Sequence, residues 1–236
     1  MNQGVYSLAA TMVNQLNRVN TTSNNLANVN TTAFKQDNLV EGSFNYYMHR
    51  YDSKDIQTTK LNLVNNTVPK IDGHYVSSKE GAIVATGNGL DFSIKTRDAF
   101  FKVQNNNGDV LLTKNGSFKN LNGFLVNSEG NSILNLNNER ITVDDGFEEQ
   151  IALVKSEYSN LDKVGNNNYK IKNINQTQNI LNNDEFLLQG SIEKSNVNTI
   201  STMVSLIDSQ RRLEQAQKAI SGINEINQKL IDKLTR

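Results

Sequence analysis

Seven positions near the N-terminus, Val5, Ala9, Met12, Leu16, Val19, Ser23 and Leu26, lie alternately four and three residues apart, and only Ser23 among them is polar. A heptad row of this kind commits the segment to a helix with one seam that needs covering; over about 25 residues the rod is about 38 Å long. The back of that helix is unusual, because Arg18 is the only charged residue in the first 34 and the rest is Asn, Thr, Ser, Gln and Ala. An apolar stripe with an uncharged polar back suits packing against protein on several sides. The other end mirrors it: Leu206, Ser209, Leu213, Ala216, Ile220, Ile223, Asn227, Leu230 and Leu234 repeat at three and four. Just before, Val197, Ile200, Val204 and Ile207 run one residue out of phase, which reads as the drift of a straight helix against a 3.5-residue repeat. Charges return here, mostly off the seam, and residues 196–234 read as one long amphipathic helix.

Composition removes most chemistry. The chain has 236 residues, with 24 Lys and Arg against 24 Asp and Glu, so there is no basic footprint for nucleic acid or an acidic membrane. It has no cysteine and only His49 and His74, which excludes disulfides and thiolate sites and nearly excludes histidine catalysis and zinc. No run of about 18 apolar residues spans a membrane. The first residues lack the basic and apolar regions of a cleaved secretory signal, so the chain is expected in the cytoplasm or exported by another route. The core is lean, and part of the apolar surface is expected to be satisfied between chains.

Between the helices the period falls to two, with Leu90, Phe92 and Ile94 alternating against Asp91, Ser93 and Lys95. Turn signals follow at Asn107-Gly108, Asn115-Gly116, Asn122-Gly123 and Gly130-Asn131, separating β-type runs at 100–104, 110–114, 124–127, 141–143, 151–155 and 169–171. The fold class is therefore α+β: long N- and C-terminal helices pairing as a coiled-coil-like layer, with an inserted antiparallel β domain. The expected divisions are 1–35 for the first helix, 36–79 for an extended linker with scattered aromatics, 80–190 for the β domain and 191–236 for the last helix.

No motif supports catalysis. Gly87-Asn88-Gly89 lacks a third glycine and a following helix, so it reads as a turn rather than a nucleotide loop. Asp144, Asp145, Glu148 and Glu149 lack the ligand spacing of a calcium loop and read as a solvated turn. Asn-x-Ser/Thr triplets carry little weight where asparagine is this common, and Arg211-Arg212 has Asp208 and Glu214 within a turn as intrahelical partners. No catalytic residue, cofactor or metal is expected. A private helical hairpin would also bury both seams, so periodicity alone leaves monomer and polymer open.

Longer blocks go further. Ser23-Asn24-Asn25-Leu26-Ala27-Asn28-Val29-Asn30-Thr31-Thr32-Ala33-Phe34-Lys35 resembles the N-terminal signature of the bacterial flagellar rod and hook proteins. Gly190 to Val197, with Gln210-Arg211, is similar to that family's C-terminal block. Leu90 to Ile94, Phe100 to Val103 and Thr113 to Phe118 are similar to its middle blocks, all in the expected order. Departures exist: Ala33, Arg97 and Ala99 stand where the family has glycine, and Leu213 where it has an aromatic. An alanine at position 33 is strained if that turn needs a positive φ.

The resemblance implies a structural, non-enzymatic subunit of the basal-body rod, too short for a typical hook protein and leaning toward the proximal over the distal rod. It implies export through the flagellar type III apparatus without a cleaved signal. It also implies polymerisation, with terminal helices inside and the β domain outside, beside copies of itself and other rod proteins, and no nucleic acid or lipid-spanning segment. The assembly candidates are Val5, Met12, Leu16, Val19, Asn24, Asn25, Leu26, Asn28, Phe34, Asn196, Leu206, Gln210, Arg211, Leu213, Ile220, Ile223 and Leu230. The alternatives are a distal rod subunit, a soluble β-domain binding module with self-paired termini and, for want of a carboxylate pair, last, a glycan hydrolase.

Overall fold

The N-terminal heptad row folds as α1, Asn2–Ala27, which ends where Thr31 N–H turns back to Asn28 O. The C-terminal row folds as α2, Thr199–Leu234, 36 residues or about 54 Å long. Asn198 caps α2, its Oδ1 accepting from Ser201 N–H. A computed structural model describes residues 2–43, 69–180 and 185–234. The aromatics Phe44, Tyr46, Tyr47 and Tyr51 of the expected linker, and His49, lie outside the described residues. The ends of that stretch are strands: β1 (Asp37–Ser43) and β2 (Pro69–Val76) pair in a two-stranded sheet.

The chain divides into two compact units. One takes Met1–Ala27, Asp37–Tyr75 and Asn198–Arg236, the other Asn28–Gln36 and Val76–Val197. In the first, the helical unit, α1 and α2 pack against each other. The buried residues of α2, Thr202, Ser209 and Ala216, are seven apart, and Leu206, Leu213, Ile220 and Ile223 flank them half-buried. Its exposed pairs Asp208–Arg212 (2.8 Å) and Glu225–Lys229 (2.7 Å) contribute a few tenths of a kcal/mol each.

The second, the β unit, contains β3 (Ile83–Ala85), β4 (Phe92–Ile94), β5 (Ala99–Gln104), β6 (Val110–Thr113), β7 (Lys119–Leu121), β8 (Phe124–Val126) and β9 (Ser132–Ile133). It continues with β10 (Leu153–Lys155), β11 (Leu161–Gly165), β12 (Asn168–Ile171), β13 (Gln178–Ile180), β14 (Leu187–Gln189) and β15 (Ser191–Glu193). The main sheet runs β11-β12-β6-β5-β9-β8-β7, with β10 joining β5 to β13; β4–β14 and β3–β15 are separate ribbons. Strand β5 separates two cores. Ala99, Phe101 and Val103 face one with Phe92, Leu125, Ile133, Ile141 and Ile151, and Phe100 faces the other with Leu112, Val154, Leu161 and Tyr169.

The Asn122-Gly123 signal makes the β7–β8 hairpin, with both residues at positive φ. Asn115-Gly116 serves a different purpose: a Cβ on Gly116 would lie 1.8 Å from Phe92 O, so glycine is required for close backbone approach. Residues 141–143 form isolated bridges at most, through Thr142 opposite Phe124. The alternation at 92–94 gives way to burial on both sides, since Phe92, Ser93 and Ile94 are all buried.

Candidate assembly surface

In the helical unit the residues that α1 buries are Asn14, Gln15 and Asn25, polar groups and not the predicted apolar row. Val5, Met12, Val19 and Leu26 are half-buried, and Leu16 stays 49 % exposed. Beside Leu16 stand Tyr6 and Val13, also exposed, spaced three to seven residues apart along one side of α1. On α2, Ile200, Met203, Val204 and Ile207 are exposed, with Ile200 at 76 %. They form a second face rather than a phase drift of the covered seam. Leu230 is exposed with Ile226, Ile231 and Leu234 near the end of α2. Gln210 and Arg211 are exposed as well.

Polar contacts fix α1 to the first strand of its unit. Asn25 makes a two-way bond with the backbone of Asp37, donating to its O at 2.8 Å and accepting from its N at 2.9 Å. Arg18 pairs with Glu41, which holds the Glu41 carboxyl below the usual carboxylate range and raises the Arg18 guanidinium. Asn24 is exposed on α1.

In the β unit the signature segment 28–36 has turns but no strand. Asn28 Oδ1 accepts from the Thr31 hydroxyl at 3.1 Å, and Phe34 is buried under the Lys163 ammonium, 4.4 Å from the ring centre. Lys35 is fully buried; its Nζ donates to Glu193 Oε1 at 2.6 Å and to Lys79 O at 2.8 Å. Glu193 Oε1 also accepts from Gly81 N–H at 2.7 Å. Asn196 Oδ1 accepts from Gln36 N–H, and its Nδ2 donates to Lys79 O. Asn25, Asn28, Phe34 and Asn196 thus have partners in their own chain. Lys35 and Glu193 are absent from the candidates read in the sequence, although both stand inside the signature blocks; only the fold, which packs the turn segment 28–36 against β15, brings them together.

No helix among the described residues is long and apolar enough to cross a membrane, and no acidic or histidine cluster among them could hold a metal ion.

Three family descriptions match the chain in order: "Flagella basal body rod protein" over residues 6–35, "Flagellar hook protein FlgE/F/G D1 domain" over 96–156, and "Flagellar basal body rod FlgEFG protein C-terminal" over 188–233. The flagellar basal-body rod protein FlgF of Rhizobium meliloti is 27 % identical, covering 94 % of this chain and 99 % of that protein. FlgG of Buchnera aphidicola subsp. Schizaphis graminum is 30 % identical, covering 90 % and 92 %. FlgF of Caulobacter vibrioides is 28 % identical, covering 90 % and 89 %. The chain belongs to the flagellar basal-body rod protein family. As a rod protein it is a structural subunit of the bacterial motility apparatus, located in the basal body, and not an enzyme. It assembles with other rod proteins.

Proposed function

We propose that this rod subunit polymerises with copies of itself and neighbouring rod proteins through the apolar rows that its own helix pair leaves uncovered. The observation that carries the reading is the exposure of Tyr6, Val13 and Leu16 on α1 and of Ile200, Met203, Val204 and Ile207 on α2. Pairing within the chain, which favoured a self-contained module, covers the inner seam of α2 and leaves these rows in water. Covering a large apolar side chain fully is worth about 1.5–3 kcal/mol, so roughly half that remains available at each half-exposed position. The two rows differ, and a contact between one helix's row and the other's in a second copy is not self-complementary; such contacts build open helical assemblies where their rotation does not close a ring.

The scarcity of charge on α1 supports the same reading, since neighbours can cover its back without stranding ions. Export through the flagellar type III apparatus and a proximal rather than distal place in the rod belong to this proposal. The first rests on family membership, the second on the opening Met-Asn-Gln-Gly-Val-Tyr and the Gln-Arg-Arg-Leu-Glu block. Leu16→Asp is the test: rods and swimming should be lost, with the purified variant keeping the unfolding transition of its β unit. Normal motility in that variant would remove the reading.

A further inference from the structure

Segment 28–36 carries one half of a latch whose other half is about 160 residues away. Most of the hydrogen bonds that hold it come from residues 77–81 or 191–196, with Asn167 Nδ2 donating to Thr32 O at 2.9 Å and Lys163 over the Phe34 ring from the β11–β12 hairpin. Ala33 N–H donates to Glu193 O at 2.7 Å, Asn196 N–H to Phe34 O at 3.2 Å, and Ser77 N–H to Gln36 O at 2.8 Å. Gln36 N–H donates to the Asn196 side chain at 2.8 Å. At the centre, Lys35 and Glu193 have side chains 0 % and 4 % exposed. Withdrawing an ammonium this completely from water carries a large desolvation cost, which its counter-charge offsets. Burying Lys35 before Glu193 is there would leave that cost without its offset.

Glu193 in turn reaches the site through one register. Strand β15 pairs with β3 so that Ser191 faces Ala85, Ile192 faces Val84 and Glu193 faces Ile83. A slip by one residue would turn Glu193 to the opposite face and leave Lys35 unpaired. Gly81 closes the third side: its N–H bonds the same carboxylate oxygen, and a Cβ there would stand 1.8 Å from Lys194 O. The buried positions of β15 are the polar Ser191 and Glu193, so here the ion pair and its backbone donor, rather than an apolar face, specify the register.

We propose that Lys35 and Glu193 form a conditional lock: the signature segment docks on the β unit only after β15 has paired with β3 in its native register. Before that, segment 28–36 is held open by the cost of burying Lys35 alone. The lock is independent of which neighbours the helices meet.

Amide hydrogen exchange on the full chain tests this. In Glu193→Gln the amides of Ala33 and Gln36 should exchange on the order of a hundredfold faster than in the wild type, with Phe101 and Val103 of the β core unchanged. The double variant Lys35→Met/Glu193→Leu, which buries no charge, should recover slow exchange at Ala33; it also serves if Glu193→Gln does not fold. Three results would overturn the lock: unchanged exchange at Ala33 and Gln36 in Glu193→Gln, acceleration there only in step with Phe101 and Val103, or a double variant as open as one with the single change.

Discussion

Ala33 sits at φ 54°, the left-handed region, where the related signature has glycine. The strain costs about 1–2 kcal/mol for a residue with a Cβ. Two effects oppose it: Ala33 is buried, so its methyl contributes about 0.8 kcal/mol, and alanine restricts the unfolded chain by a further ~0.4–1 kcal/mol. The sum is near zero, so an alanine is tolerated at this left-handed position. Ala33→Gly should leave urea stability within about 0.5 kcal/mol of wild type, whereas Ala33→Val, β-branched at positive φ, should lose more than about 2 kcal/mol. A large gain from glycine would show that the methyl contributes nothing.

Lys114 presents the opposite case, a buried charge with no carboxylate bonded to it among the described residues. Its Nζ donates to Thr96 O at 2.6 Å and lies 5.4 Å from the Phe100 ring centre. Burial pushes the ammonium down to about 8. Between there and the ordinary value of 10.5 the unfolded chain binds more protons than the folded one. Stability should therefore rise with pH through that window, and the full penalty is present at neutral pH. Lys114→Met should remove most of this alkaline rise in denaturant titrations at pH 7.5, 9 and 10.5, leaving a smaller one from Lys102, which burial also lowers. An undiminished rise in the variant would assign it to another group.

At the scale of elements, legibility followed the length of the pattern. The two long heptad rows and the Asn122-Gly123 hairpin declared themselves, because period and turn chemistry are local properties. Strands β3, β14 and β15 did not, although the equally short β8 and β10 did, because those two lie within the longer β-type runs 124–127 and 151–155. Strand β4 was recognised for the wrong reason: Ser93 is as buried as its neighbours, so alternation of residue type there did not mean an exposed face. Strands β1 and β2 lie at the edges of a polar stretch with no alternating signal.

The packing of the helices was half readable. The heptad on α2 names the covered side, yet its closest positions are the small Thr202, Ser209 and Ala216, with the leucines beside them. Ala216→Leu should overpack that contact and lower helical stability by about 1–3 kcal/mol, read as an earlier loss of helical circular dichroism in urea. An unshifted transition would mean that α1 does not approach α2 there.

For the molecule as a whole, the signature blocks identified the family because they are long and ordered, while the assembly face stayed ambiguous. On α1, Leu16 belongs to the predicted row and Tyr6 and Val13 do not, although all three share the exposed side. Adjacent rows with the same spacing are equivalent in a sequence; only the partner helix decides which is used internally. Likewise the sequence holds Lys35 and Glu193 in plain view, but the docking of a turn segment on β15 had to place them together.

The chain leaves the helical unit after Ala27, comes back to it over Asp37–Tyr75 and returns a last time at Asn198, so the β unit is built from two pieces inserted between the two helices. Whatever lies between Val76 and Val197 can be enlarged, trimmed or exchanged, provided that it still seats Asn28–Gln36 and returns the chain to Asn198, and the helices would still offer neighbouring subunits an identical coupling.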